Sequence, residues 1–382
     1  MNQIASTQCD QSLRKTIKLL EGKGITRPRD YLLKHPLPLS SKESIHEEIK
    51  HKVAEALACP LTAGDVALEE ENERHVFLST GCPGMDELLG GGCLIGEMTE
   101  FAGAPATGKT QLAFFTALTT AAADPNATIL YIDSSNSFSA SRMSQLFTFS
   151  DRFDFLRTKG MNAEYVLSRI KCIQCPDACK LLDILEELDT KLAEKSDPFV
   201  SQLNLVIIDS VGALFSPMVG FGQTRGYVVM MTVGHMLKTM AMRYRFAAMT
   251  LNYGVQSDFR GGKGSRNAVS GPVSDIGGQL RTKPALGTTW SFVPNIRLFF
   301  SDINDSENAG DDEVLSYQNR QGLITALTKR RVVVYNSHRT AIGSERILFL
   351  GSYEVMSFPD TTNTGQWNRD LFVKSENAQR HS

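Results

Sequence analysis

Long apolar runs are missing from the 382 residues. No stretch of about 18 apolar residues occurs, which argues against a membrane-spanning helix. The first residues, MNQIASTQCDQSLRK, lack the charged-then-apolar order of a secretory signal, so an intracellular chain is expected. Excess charge is missing as well. With 40 Lys+Arg and 42 Asp+Glu the formal net charge is −2, which excludes a polycation acting through its overall field and leaves any nucleic-acid contact to a local basic patch. Cysteines are few and odd in number, seven in all, and a disulfide framework is not expected. Nor is there an internal repeat with a period of about 20–50 residues. What remains is an ordinary globular composition, 42% hydrophobic and 21% charged, at a length that accommodates two or three domains of about 100–200 residues.

Residues 1–58 carry helical periodicity. Leu13, Ile17 and Leu20 share one face and Ile45, Ile49, Val53 and Leu57 another, with the proline-punctuated turn HPLPLSSKES between them. This predicts a small all-helical domain. Residues 59–75, CPLTAGDVALEEENERH, are polar and acidic and read as a linker. From 76 to 358 the pattern is α/β. Segments at Ile129–Asp133, Arg169–Ile173, Leu205–Asp209 and Phe246–Thr250 are separated by helix-length stretches, which predicts parallel strands joined by right-handed crossovers. Ile296–Phe300, Ile324–Leu327, Val332–Tyr335 and Ile347–Leu350 are closely spaced and predict antiparallel additions. The expected fold class is α/β, a mostly parallel sheet with helices on both faces and antiparallel C-terminal strands. The last residues, 359–382, read as a partly disordered tail.

The strongest chemical signal is Gly103-Ala104-Pro105-Ala106-Thr107-Gly108-Lys109-Thr110, a complete G-x-x-x-x-G-K-[ST] motif. It follows the apolar segment Glu97–Phe101 and precedes the helix-forming run QLAFFTALTTAAA, the strand–loop–helix setting a P-loop needs. The glycines let backbone N–H groups turn onto phosphate oxygens and the helix N-terminus adds its dipole. Lys109 is placed to reach the β/γ-phosphates and Thr110 to offer its hydroxyl to Mg²⁺. A carboxylate for the same metal stands at the end of the apolar strand Leu205-Val206-Ile207-Ile208-Asp209, as in a Walker B sequence. Thr110 and Asp209 are therefore the expected metal-side pair.

With these motifs in view, the sequence resembles the eukaryotic RecA-type recombinases over essentially its whole length. STGCPGMDELLGGGCLIGEMTEFAG ahead of the P-loop is similar to that group's entry sequence, and Lys283-Pro284-Ala285-Leu286-Gly287 with Trp290-Ser291-Phe292-Val293-Pro294 resembles its D-type paralogue branch. The resemblance implies a RecA-like ATPase core binding ATP and Mg²⁺, Arg142 stacking on the adenine, and Asn252, in Met249-Thr250-Leu251-Asn252-Tyr253, at the γ-phosphate-sensing segment. It also implies a nuclear protein of homologous recombination, acting as a mediator that binds single-stranded DNA within a paralogue complex and stabilises the recombinase filament. C-type and X-type paralogue subunits are the implied partners.

Two departures qualify that picture. The family's D-T-E-G-like tetrad, whose Glu orients the attacking water, is Asp133-Ser134-Ser135-Asn136 here, with Ser135 at the Glu position. A hydroxyl is no ionised acceptor at neutral pH, and loss of a positioned base costs on the order of 10²–10⁴-fold, so slow hydrolysis is expected. Tyr253 replaces the usual Gln or His. In addition, no Phe-x-x-Ala filament plug occurs between 59 and 80, which implies a defined place in a hetero-oligomer rather than self-polymerisation.

Two glycine-rich segments stand at the family's DNA-loop positions, about 212–228 with Arg225 and about 254–287. The second contains Arg260, Lys263, Arg266, Arg281 and Lys283 against Asp258 and Asp275, with Phe259 available to stack on a base. The alternatives weighed are an active strand-exchange recombinase and a nucleotide-independent scaffold subunit. A small-molecule P-loop kinase is a third, but it would require an Arg-rich lid that is not visible. Among weaker signals, Cys172, Cys175 and Cys179 have a metal-like spacing without a fourth ligand. Lys329-Arg330-Arg331, between two apolar strands, reads as a hairpin turn, and 301–313 as a solvated acidic loop.

Overall fold

A computed structural model describes residues 76–219, 224–256, 282–303, 315–357 and 372–373. The helical domain expected over 1–58, the linker at 59–75 and nearly all of the 359–382 tail lie outside the described residues. The first elements are β1 (Phe77–Leu78), α1 (Pro83–Leu88) and β2 (Cys93–Leu94), followed by β3 (Met98–Gly103), α2 (Lys109–Ala123), β4 (Thr128–Asp133) and α3 (Ala140–Phe149). Then come α4 (Asp154–Thr158), α5 (Ala163–Leu167), β5 (Ile170–Gln174), α6 (Ala178–Glu194), α7 (Pro198–Ser201) and β6 (Leu203–Asp209). The next group is α8 (Val211–Phe215), α9 (Thr224–Tyr244), β7 (Ala247–Gln256), β8 (Thr282–Pro284), α10 (Gly287–Ser291) and β9 (Ile296–Asp302). The last are β10 (Ser316–Gln318), β11 (Ile324–Ala326), β12 (Thr328–Ser337), β13 (Glu345–Leu350), β14 (Val355–Ser357) and β15 (Phe372–Val373).

Local chemistry explains these elements. All six residues of β3 and all six of β4 are buried, as befits strands covered on both faces. In α6, Leu181, Ile184, Leu185, Leu188 and Leu192 form the buried stripe at i, i+3, i+4 spacing. The Asp177 side chain accepts from the Lys180 N–H at its start, and Lys195, at φ 51°, ends it in the left-handed region.

The large sheet runs β14-β13-β12-β9-β3-β7-β6-β4-β5, with β8 paired to β7. Strands β9, β3, β7, β6, β4 and β5 are mutually parallel, while β12, β13 and β14 continue the sheet antiparallel. This is a RecA-like arrangement with the expected parallel core and antiparallel C-terminal end. Two strands differ from the sequence reading. Ile296–Phe300 lies in β9, parallel to β3 rather than antiparallel, because β8 and α10 carry the chain back to the entry end of the sheet before β9 starts. Ile324–Leu327 does not join the main sheet: β11 pairs with β10, and β10 with β15, in a separate three-stranded sheet.

Lys329-Arg330-Arg331 also proves to be strand, inside β12 rather than in a turn. Arg330 meets Asp302 at 3.3 Å and Arg331 meets Glu345 at 2.5 Å, so cross-strand ion pairs accommodate the cations. Asp302 ends β9, and the rest of the acidic stretch beyond 303 lies outside the described residues. Register brings the functional segments to one edge, with Asp133 opposite Asp209 and Gly103 opposite both Tyr253 and Phe300. Ligands of open parallel sheets bind at this carboxyl edge.

Candidate functional site

The loop from β3 to α2 is built on three positive-φ residues, Gly103 at 149°, Ala106 at 59° and Gly108 at 92°. A Cβ on Gly103 would stand 2.1 Å from the Phe300 carbonyl oxygen, and one on Gly108 2.5 Å from the Leu350 side chain, so both positions require glycine. Lys109 turns back over the loop, Nζ donating to the carbonyl oxygens of Gly103 at 2.9 Å and Ala104 at 2.6 Å. Thr107 is fully buried, its hydroxyl donating to the Ala104 carbonyl at 2.8 Å. Burial pushes the Lys109 ammonium down to about 8, with Asp209 pulling the other way.

Asp209 sits at the end of β6, 4% exposed. Its Oδ2 accepts from the hydroxyls of Thr110 at 2.9 Å, Tyr131 at 2.8 Å and Ser137 at 2.8 Å. Thr110 and Asp209 are thus brought together as the motif spacing implied. Tyr131 and Ser137 are functional neighbours that sequence reasoning missed. Burial, followed by the Asp209 carboxylate, holds the Tyr131 phenol well above its usual range, so it stays a donor.

At the end of β4, Asp133 accepts N–H donation from Ser135 at 3.1 Å, Ser137 at 3.1 Å and Phe138 at 3.0 Å, and from Gln174 Nε2 at 3.1 Å. Burial works against its charge, but these donors prevail and hold the carboxyl below its ordinary range. Asp133 is therefore the organiser of the Ser134–Phe138 turn. Ser135 is exposed on that turn, its hydroxyl donating to Ser137 Oγ at 3.1 Å and to the Asp209 carbonyl at 3.3 Å.

A cleft of about 450 Å³ opens between loop residues 106–111 and Thr328, Leu350, Gly351 and Ser352. Arg142 lies at its rim on α3, donating to Gln111 Oε1 at 2.9 Å and to the Ser352 carbonyl, with its guanidinium 5.7 Å from the Tyr353 ring centre. The 350–353 wall carried no motif in the sequence. Behind it, Glu354 is buried and accepts from Ser150 Oγ at 2.9 Å and from the Asp151 N–H at 2.5 Å.

Asn252 is buried on β7 and does not line the cleft. Its Nδ2 donates to Glu100 Oε1 at 2.9 Å and to the Ala285 carbonyl at 3.2 Å. Glu100, fully buried on β3, also accepts from Trp290 Nε1 at 2.8 Å and pairs with the guanidinium of Arg297 on β9. Of the expected DNA-contact residues, Arg225 is exposed at the start of α9 and Lys283 is exposed on β8, opposite Val255. Phe259, Arg260, Lys263, Arg266 and Arg281 lie outside the described residues. Cys172 is on β5, Cys175 is buried with Sγ 3.4 Å from the Asp177 carbonyl, and Cys179 is exposed on α6. Burial raises both the Cys172 and Cys175 thiols to about 11. Among the described residues no helix is long and apolar enough to cross a membrane.

A family model described as Rad51 matches residues 71–285. The chain belongs to the Rad51 family. "DNA repair protein RAD51 homolog 4" of Bos taurus is 31% identical over 264 residues, covering 69% of this chain and 72% of that protein. The homolog 4 of Mus musculus is 29% identical over 322 residues, covering 81% and 87%. A Mus musculus "DNA repair protein RAD51 homolog 2" is 26% identical over 284 residues, covering 70% and 78%. The resemblance to the D branch is therefore matched by relatives named homolog 4. The crystal structure of the RadB recombinase has a TM-score of 0.50 at 20% identity, covering 74% of this chain and 100% of that chain, which agrees with the RecA-like core. Within this Rad51-family core the P-loop and Asp209 occupy the carboxyl edge of the sheet, whereas Ser135 presents no carboxylate there.

Proposed function

We propose that this protein is an ATP-binding subunit of homologous-recombination repair, a mediator that binds single-stranded DNA within a paralogue complex and stabilises the recombinase filament. The observation that carries the reading is the joined set of Lys109, Thr110 and Asp209 at the mouth of the P-loop. This set fits a magnesium nucleotide. Gly108 keeps clear the space that a Cβ would take against Leu350 of the cleft wall, Lys109 supplies a cation, and a hydroxyl and a carboxylate 2.9 Å apart are hard oxygen donors suited to Mg²⁺. Thr110 and Asp209 would hold the metal and Lys109 the β/γ-phosphates, while Arg142 would flank the base. Bound there, Mg²⁺ would supply the positive charge that offsets the negative charge of the phosphates.

Slow turnover belongs to the same reading. Ser135 and Ser137 donate hydroxyls near Asp209, and neither offers an ionised acceptor for a water proton. Nucleotide then acts as a binding element at a subunit interface, with C-type and X-type paralogues as partners in the nucleus. The names of the relatives support the repair assignment. The exposed Arg225 and Lys283, at the bases of the two glycine-rich segments, support a single-stranded DNA contact.

The test is binding of Mg-ATP and of labelled oligo(dT) by purified protein, alone and with a C-type paralogue, in wild type and Lys109→Ala. Nucleotide binding weakened about 10–100-fold in Lys109→Ala, with negligible turnover in wild type, is expected. Fast DNA-stimulated hydrolysis by the protein alone would move the assignment to an active recombinase, and no nucleotide binding in any assembly would move it to a scaffold.

A further inference from the structure

We infer that Tyr353 is a positioning residue for the nucleobase, its ring backing the Arg142 guanidinium and fixing the tilt of the face that a base would meet. The inference deepens the reading of the cleft as a nucleotide site and rests on it.

Arg142 is fastened at one corner. Among the described residues, both hydrogen bonds of its guanidinium leave from Nη2, one to Gln111 Oε1 at 2.9 Å and one to the Ser352 carbonyl oxygen. They join α2 to the turn between β13 and β14 at the rim of the cleft, but two bonds on a single nitrogen leave the plane free to rock about that corner. The Tyr353 ring removes this freedom. Its centre lies 5.7 Å from Arg142 Cζ, inside the range of about 6 Å over which a cation is attracted to an aromatic face. A guanidinium is planar and stacks on aromatic faces, so with the ring against one side the other side is left for a base.

Tyr353 is itself held in place. Residues 351–354 form the tight turn of the β13–β14 hairpin, closed by the Gly351 N–H donating to the Glu354 carbonyl at 2.9 Å. On one flank the Ser352 N–H donates to Thr325 Oγ1 of β11 at 2.7 Å. On the other, Glu354 accepts from Ser150 Oγ at 2.9 Å and from the Asp151 N–H at 2.5 Å, just beyond the end of α3. The Tyr353 ring then meets that of Phe149, centre to centre at 4.9 Å. Phe149 and Arg142 are seven residues apart on α3, which is about two turns, so both belong to the one helix face along which Tyr353 lies. The ring is bracketed by a packed aromatic on one side and the cation on the other. An arginine ordered in this way during folding has less freedom left to lose when a ligand arrives, which is how preorganisation raises affinity. The effect is confined to the base, because the phosphate-side groups Lys109 and Thr110 are held by the loop carbonyls and by Asp209 instead.

The experiment measures the affinity of the full chain for Mg-ATP and for Mg-tripolyphosphate, which carries the phosphates without the base. The proteins are wild type, Tyr353→Phe, Tyr353→Leu, Arg142→Ala and the pair Arg142→Ala with Tyr353→Leu. Leucine keeps apolar bulk against Phe149 and removes the aromatic face. In Tyr353→Leu, ATP affinity is expected to fall about 3–10-fold with tripolyphosphate affinity unchanged, while Tyr353→Phe stays within about twofold of wild type. Once Arg142 is alanine, the leucine change should cost nothing more, since the two residues act as one. Equal weakening of ATP and tripolyphosphate in Tyr353→Leu overturns the proposal, because that is loss of the turn's structure. An ATP affinity in Tyr353→Leu equal to wild type, or additive losses in the pair, overturns it as well. Failure of the underlying reading has a different signature: wild type that binds ATP no more tightly than tripolyphosphate holds no base here, and wild type that binds neither has no nucleotide site, and in both cases the role of Tyr353 falls with it.

Discussion

The Thr110 hydroxyl donates to Asp209 Oδ2 across 2.9 Å, fastening the first turn of α2 to the end of β6. The same oxygen receives the hydroxyls of Tyr131 and Ser137, so three elements converge on one atom. Replacing Thr110 by Ala removes one of those donors together with the hydroxyl that would hold the metal in the proposed function. The expected result is loss of most of the gain in ATP affinity that Mg²⁺ brings, with Mg²⁺-free binding little changed, as measured by titration calorimetry with and without the metal.

Lys109 confers a pH dependence. Its ammonium is pushed down to about 8 by burial, so in the free protein it loses its proton as pH rises through that value, and phosphate binding must then take a proton up. Mg-ATP affinity is expected to fall between about pH 7 and pH 9, with a limiting slope of about tenfold per unit. Stability moves oppositely, because the unfolded ammonium keeps its proton to a higher pH and the residue's contribution therefore rises with pH above 8. Lys109→Ala should lower affinity about 10–100-fold, the worth of a charged hydrogen bond, and flatten the pH profile.

Ser135→Glu is expected to raise ATP turnover by at least about tenfold, within the range that a positioned base supplies. The exposed turn accommodates the longer side chain without disturbing a buried neighbour. Phosphate release is the readout, and the gain should vanish when Lys109→Ala is added. Unchanged turnover would assign the slow chemistry to something other than the missing carboxylate.

Glu354 is raised from 4.5 to about 7, chiefly by burial, while donors from Asp151 and Ser150 pull it down. Between those values the unfolded chain ionises this group and the folded chain does not, so stability falls as pH rises through that window and the loss persists above it. Glu354→Gln, which keeps an acceptor, should melt a few degrees above wild type at about pH 8 and close to it at about pH 5. A constant difference across that range would refute the assignment.

The buried pair of Glu100 and Arg297 makes a different demand. Glu100→Ala leaves a guanidinium in the core with its principal partner gone, which costs about 3–5 kcal/mol. The double change Glu100→Leu with Arg297→Met removes both charges and should recover much of that loss. Chemical denaturation of wild type, Glu100→Leu, Arg297→Met and the double variant measures the coupling directly.

These sites differ in how far they can be read ahead of structure. The P-loop and Asp209 are legible because their chemistry is local, with glycines, a lysine and a strand-end carboxylate at fixed offsets. Glu100 and Arg297 are not legible, since a charged residue in an apolar strand reads as an outward-facing position until the opposing strand is known. The direction of β9 was missed for a related reason. Spacing reports chain length between strands, whereas β8 and α10 determine at which end the chain re-enters. Lys329-Arg330-Arg331 misled by composition, because the partners that neutralise two of its cations, Asp302 and Glu345, are contributed by neighbouring strands. Tyr131 and Ser137 could have been suspected only from their nearness to the Asp133–Asn136 tetrad.

Strand β3, from which the nucleotide loop springs, is flanked by β7 and β9, which are synthesised about 150 and 200 residues after it. Neither backbone edge of β3 can pair until β7 is made, and the second edge, with the Arg297 partner of Glu100, has no neighbour until β9 follows. A message interrupted before β7 leaves β3 without a neighbour on either edge, and one interrupted between β7 and β9 leaves its second edge free. Early stop codons over most of this reading frame should accordingly behave as complete losses and be cleared by quality control rather than persist as truncated, nucleotide-competent competitors.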